Sequence, residues 1–182
     1  MLDDPTAELF LLLKNYPIET SIEQFKSSNS LSILRSPLEQ WTQGDIISEV
    51  PFLIFAGDGK PSIFKAPGIT LTNTCDLVRR DYVSFCPCIS ASKLERSPNY
   101  TDILKQKVFE FFYIGRSDIG DELIVFLSQP MSLRRDRVIK SMENSAIKRV
   151  NSLTQFGWYY FITKFSIKYF RPDDPTTMES RG

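Results

Sequence analysis

The chain has 182 residues, 42% of them hydrophobic and 14 of them phenylalanine, which describes one ordinary packed domain and excludes a disordered chain. Lys plus Arg and Asp plus Glu balance at 22 each, so bulk charge gives no argument for a polyanionic partner and only its distribution can. Histidine is absent, which removes the usual general base near neutral pH and the commonest zinc ligand, and leaves Arg, Lys, carboxylates, Cys, Tyr and hydroxyls for any chemistry.

In chain order, Asp3-Asp4-Pro5 is a helix start, with a capping carboxylate followed by proline at the first helical position. Apolar Leu9, Phe10, Leu12 and Leu13 follow until Asn15-Tyr16-Pro17, and Ile18, Ile22 and Phe25 repeat at helical spacing. Residues 1–30 therefore read as a helical extension. The apolar run Leu9 to Leu13 is too short to span a bilayer, and three cysteines make no disulfide framework, so a reduced, cytoplasmic location without membrane is expected.

From Trp41 the pattern turns to strands. Gly44-Asp45 leads into Ile46 to Phe55, interrupted at Pro51, and Gly57-Asp58-Gly59 is a turn. Ile69 to Leu71, Tyr82 to Cys88, Lys107 to Ile114 and Glu122 to Leu127 are further strands, with a polar, turn-rich stretch over 94–101. Their close spacing, with no helices between, predicts a small antiparallel barrel or sandwich. Helix returns over Leu133 to Met142, and Leu153, Phe156, Tyr160, Phe161 and Ile167 form a stripe ending at Arg171-Pro172. The expected main domain is 41–172, mainly β with a C-terminal helix, followed by a flexible tail over 173–182.

The succession Gly44-Asp45-Ile46, then Pro67-Gly68-Ile69-Thr70-Leu71-Thr72, then Cys86-Pro87-Cys88-Ile89-Ser90, then Leu127-Ser128-Gln129-Pro130 into Arg134 resembles the order of strands in the MazF/PemK group of toxins. The resemblance implies an SH3-like antiparallel barrel with a C-terminal helix and a relation to toxin-antitoxin or phage-defence systems. In those toxins an arginine before the second-strand proline helps cleave RNA. Here Ala66 holds that place, with Lys65 one residue earlier, while Ser90 matches the hydroxyl that closes the third strand. Lysine lacks the planar fork that grips a phosphate in two places. Two functions follow as expectations. The first is a non-catalytic binding or regulatory component of a toxin- or defence-type assembly, with a protein partner or second copy and a possible nucleic-acid contact. The alternative is a metal-independent endoribonuclease with a rearranged site on Lys65 and Ser90.

The residues themselves offer further candidates. Thr72, Thr74, Cys75 and Asp76 form a candidate site loop, read either as nucleophile with partner or as a side-chain-capped turn. Arg79, Arg80, Arg134, Arg135 and Arg137, with Lys140, Lys148 and Arg149 further on, are either a phosphate-tracking patch or a solvated face. Trp158, Tyr159 and Phe161 stand in a run that is apolar nearly all round a helix, which suggests burial against a partner. Cys75, Cys86 and Cys88 are candidate metal ligands, the last two on one strand face, but there is no fourth Cys and no His, so neither metal nor cofactor is expected.

Overall fold

Alternation of apolar and polar residues builds the architecture of the computed structural model, whose described residues are 32–55 and 57–170. The expected helical extension over 1–30 and tail over 173–182 lie outside them. Among the described residues eight strands form one antiparallel arrangement: β1 (Leu34–Arg35), β2 (Ile46–Phe55), β3 (Pro61–Thr70), β4 (Tyr82–Ser90), β5 (Phe111–Arg116), β6 (Glu122–Phe126), β7 (Met131–Arg134) and β8 (Arg149–Leu153). Their order is β1-β8-β2-β3-β4-β6-β5, with β7 also on β4. The class is thus mainly antiparallel β with helices. The outer strands β1 and β5 approach across a cleft of about 380 Å3 but share no ladder among the described residues, so no ladder closes a barrel there.

Successive residues of one strand point to opposite faces, and here both faces are covered. Ile46 packs with Ile69, Cys86, Phe112 and Phe161, the last from helix α3 (Gln155–Phe170), whereas Ile47 packs with Val50, Phe85 and Val138, the last from helix α2 (Arg135–Glu143). Each fully buried Ile or Phe contributes about 1.5–3 kcal/mol relative to exposure. A third, smaller cluster joins Ala91, Ile103 and Ile124 beneath a 3-10 turn (Ala91–Leu94) and helix α1 (Tyr100–Leu104).

Several expectations are corrected. Helices do stand between strands, since the 3-10 turn and α1 separate β4 from β5. The strand expected from Lys107 begins only at Phe111, because Lys164 of α3 reaches over and donates to Gln106 Oε1 and Val108 O, at 3.0 Å each, and to Phe111 O. Val108 O is thereby held in a loop rather than a ladder, and Phe111 is where the β5 ladder begins. Leu133 is not helical but pairs with Val83 in β7. Strands β1 and β8 were unforeseen, and β1 places sheet structure ahead of residue 41. Pro51 does not end β2; it sits opposite Lys65 in one ladder that shifts register between Ile47 and Val50, where Glu49 is left-handed at φ 53°.

Candidate binding surface

The Gly44-Asp45 pair turns out to be a fold staple. Gly44 takes φ 89°, and a Cβ there would lie 2.8 Å from the Leu153 side chain. The turn aims the fully buried Asp45 carboxylate at four donors: Thr42 N and Thr42 Oγ1 at 2.9 Å each, Ser152 Oγ at 2.6 Å and Arg149 Nη1 at 3.3 Å. Arg149 is therefore committed to Asp45 and to Glu39 O, at 2.9 Å, rather than to a ligand.

The loop Thr72 to Asp76 is likewise held by backbone groups. Thr72 Oγ1 accepts from Ser84 N at 2.8 Å, Thr74 Oγ1 from Gln43 N at 3.0 Å, and Asn73 Oδ1 from Cys75 N at 3.0 Å. Asp76 pairs with Arg80 at 3.5 Å, and the Cys75 thiol is exposed. This is the geometry of a side-chain-capped turn. Cys86 and Cys88 are buried, and burial pushes the Cys86 thiol up to about 12 and Cys88 higher still, so neither offers a thiolate near neutral pH.

Lys65 and Ser90 stand on diverging strands. The β3–β4 ladder runs from Thr70↔Phe85 to Gly68↔Pro87 and stops, as Pro87 has no N–H to donate. Beyond it β3 continues with β2 alone, where Lys65 faces Pro51, while β4 turns to β6, where Ser90 pairs with Leu123 and its hydroxyl lies 2.8 Å from Ser92 Oγ. A continued ladder would have set Lys65 opposite Ser90; the split removes that juxtaposition.

The arginines fare differently. Tyr82 pairs with Arg134, and Asp81 O accepts from Arg135 N at 2.8 Å, so the end of the 71–81 loop abuts the start of α2. Arg79 and Arg80 are thus brought near Arg134 and Arg135. Arg80 is paired with Asp76, and Arg134 holds Asp136 through two bonds at 3.1 and 3.2 Å. The Arg135 Nε is buried without a hydrogen-bond partner. Arg79 and Arg137 make no salt bridge with the described residues. On α3, Phe161 is 1% exposed and packs on Phe112 inside the fold, Trp158 donates to Gln43 Oε1 at 3.1 Å, and Tyr159 lies edge-on to Trp158. Among the described residues no group of three or more Cys, Asp or Glu is placed to hold a metal ion.

The surface that sequence reasoning missed is the outer half of the β2–β3 hairpin. Pairing of Leu53 with Ile63, Phe55 with Pro61 and Pro51 with Lys65 puts these side chains on one face. Leu53 is 48% exposed, and Phe55 and Ile63 are 71% exposed each. The other face carries Phe52 stacked on Phe64 with centroids 5.6 Å apart, packed into the core. Along the β2 edge lie two clefts. One, about 300 Å3, is lined by Val50, Pro51, Leu133, Val138, Arg134 and Arg137; the other, about 320 Å3, by Phe52 to Phe55 and Gln129 to Met131. No helix among the described residues is long and apolar enough to cross a membrane. No protein-family model matches this sequence, and no curated protein matches it.

Proposed function

We propose that the chain is a non-catalytic, protein-binding component of a larger assembly, of the toxin or defence kind that the MazF/PemK resemblance implies. The observation that carries the reading is the Leu53, Phe55 and Ile63 face. Three large apolar side chains side by side on a projecting two-stranded ribbon mark a surface that gains by being covered. The non-catalytic part is supported by the splitting of Lys65 from Ser90 and by the commitment of the Thr72–Asp76 hydroxyls and amide to the turn. An SH3-like barrel belongs to the same proposal. It is supported by β4 passing from its ladder with β7 to its ladder with β6, the sort of corner by which antiparallel strands wrap a core.

The test is capture of the tagged chain from its native host, with mass spectrometry and nucleic-acid detection, beside the variant Ile63→Lys. A stoichiometric protein retained by the wild type and lost with Ile63→Lys is the expected result. A chain that brings down no protein but trims RNA, and loses that activity on Lys65→Ala or Ser90→Ala, overturns the proposal in favour of the endoribonuclease.

A further inference from the structure

The exposed face of the ribbon is matched by an open edge. The ladder of β2 with β8 ends at Ile47↔Arg149, so from Val50 to Phe55 the strand has β3 on one side and no ladder on the other among the described residues. β7 pairs with β4 on one side and likewise has no second ladder. Between the two edges the Leu53 N–H points away from β3 and, among the described residues, meets only the Met131 thioether, at 3.3 Å. Sulfur is a weak acceptor, so a backbone donor of this half-exposed edge residue is held there only by a poor partner on a flexible side chain. Antiparallel alternation makes Pro51, Leu53 and Phe55 the residues whose backbone faces this seam, Pro51 through its carbonyl alone.

The two clefts flank the same seam, one at each end of it. The cleft at Val50, Leu133 and Val138 is largely apolar, except that Arg134 and Arg137 stand where α2 meets β7, whereas the cleft at Phe52 to Phe55 offers polar and apolar surface in similar measure, Gln129 included. Arg134 is occupied by Asp136, which leaves Arg137 as the cation of the groove without a salt bridge to the described residues. Backbone donors and acceptors in a row, an apolar and a mixed cleft alongside and a cation at one end form the pattern that recognises an extended polypeptide. Added strands bond through the main chain and place alternate side chains in pockets.

We infer that an extended segment of a partner protein adds as a strand along β2 between Val50 and Phe55, displacing the Met131 side chain from Leu53 N–H. Its apolar side chains enter the cleft lined by Val50, Leu133 and Val138, a polar or mixed side chain enters the one beside Gln129, and an acidic residue at one end meets Arg137. The inference rests on the protein-binding reading and names the chemistry of the partner. Nucleic acid fits this seam poorly, since its lining near Arg137 is mostly aliphatic and the one ring there, Phe85, is stacked on Trp41.

The experiment pans a phage-displayed library of random twelve-residue peptides on the full chain. An enriched peptide is then synthesised with a fluorescein label for anisotropy titration and for hydrogen exchange of its complex. Enriched sequences are expected to carry an acidic residue beside a run of β-branched or aromatic ones. Arg137→Glu should weaken binding about tenfold or more, while Lys93→Glu, a charge reversal outside the seam, leaves it unchanged. The Leu53 and Phe55 amides should exchange more slowly in the complex. Failure to enrich, indifference to Arg137→Glu, unchanged exchange at Leu53 and Phe55, or displacement of the peptide by a twenty-nucleotide oligothymidylate each overturns the inference. A stoichiometric partner captured through Ile63 with those amides unaffected sinks this inference alone; capture of no partner sinks the protein-binding reading as well.

Discussion

Replacing Asp45 by alanine removes four accepted hydrogen bonds at once from a side chain with no solvent exposure. The Arg149 guanidinium, 23% exposed, keeps its bond to Glu39 O but loses its counter-charge, and the Ser152 hydroxyl, in a residue 1% exposed, loses its acceptor. Breaking a largely buried ion pair costs about 3–5 kcal/mol, and a buried hydroxyl left unsatisfied costs about 1–3 kcal/mol. Water entering beside the partly exposed Arg149 relieves part of the first penalty, so a loss of about 4 kcal/mol is expected. Against a total stability of roughly 5–15 kcal/mol this nearly unfolds a marginal domain. The assay is equilibrium urea unfolding followed by tryptophan fluorescence, because Trp41 Nε1 bonds Thr70 Oγ1 at 3.1 Å beside this corner. With a slope of about 2 kcal/mol per molar urea, the midpoint should fall by about 2 M. Asp58→Ala, whose pair with Lys60 lies in solvent, serves as control and should change stability by less than about 0.5 kcal/mol. An Asp45→Ala loss below about 1 kcal/mol, or equal to the control, would refute the claim that this carboxylate staples β2 to β8.

Three further outcomes are expected. Burial pushes Lys164 down to about 8 from 10.5, so between these pH values the unfolded chain binds more protons and stability should rise with pH, by up to about 3 kcal/mol. The difference between wild type and Lys164→Met isolates this from ionising tyrosines and thiols; a flat difference from pH 8 to 10 contradicts the assignment. Of the three cysteines only Cys75 is exposed, so at pH 8 Ellman's reagent should label one thiol per native chain and three after denaturation; rapid labelling of two or more native thiols would show Cys86 or Cys88 to be accessible. Gly157→Ala should cost about 1–3 kcal/mol despite alanine's higher helix propensity, because its Cβ would lie 2.3 Å from the backbone oxygen of Ile33; a neutral or stabilised melting curve would place α3 farther from β1.

Legibility followed the range of the interactions. Strands β2, β4 and β6 and helix α3 were readable because each has an apolar run bounded by turn residues, such as Gly57-Asp58-Gly59 or Pro172, and such signals are local, whereas of β3 (Pro61–Thr70) only the end at Ile69 and Thr70 was. The two-residue β1 carries no such signal and exists only because Leu34 and Arg35 pair with Leu153 and Ser152. Arg149 read as one more cation of a basic stretch, whereas its partner Asp45 lies far away in sequence. The run Phe52-Leu53-Ile54-Phe55 is apolar at every position, the mark of a strand buried on both faces; its half-exposure could not be seen without knowing that β8 departs from it after Ile47.

By itself the sequence determined the β-rich class, the turn chemistry of Asn73 to Asp76 and the covering helix at the C-terminal end of the described fold, since these depend on residue preference and periodicity over a few positions. Only the tertiary structure decided that Lys65 and Ser90 part company, that Phe161 faces inward while Ile63 faces outward, and that an open edge runs beside Arg137. The reason is that a strand's pattern records which faces can be buried, while its ladders record which neighbours remain alongside. One residue without an N–H, Pro87, marks where the second of these changes course.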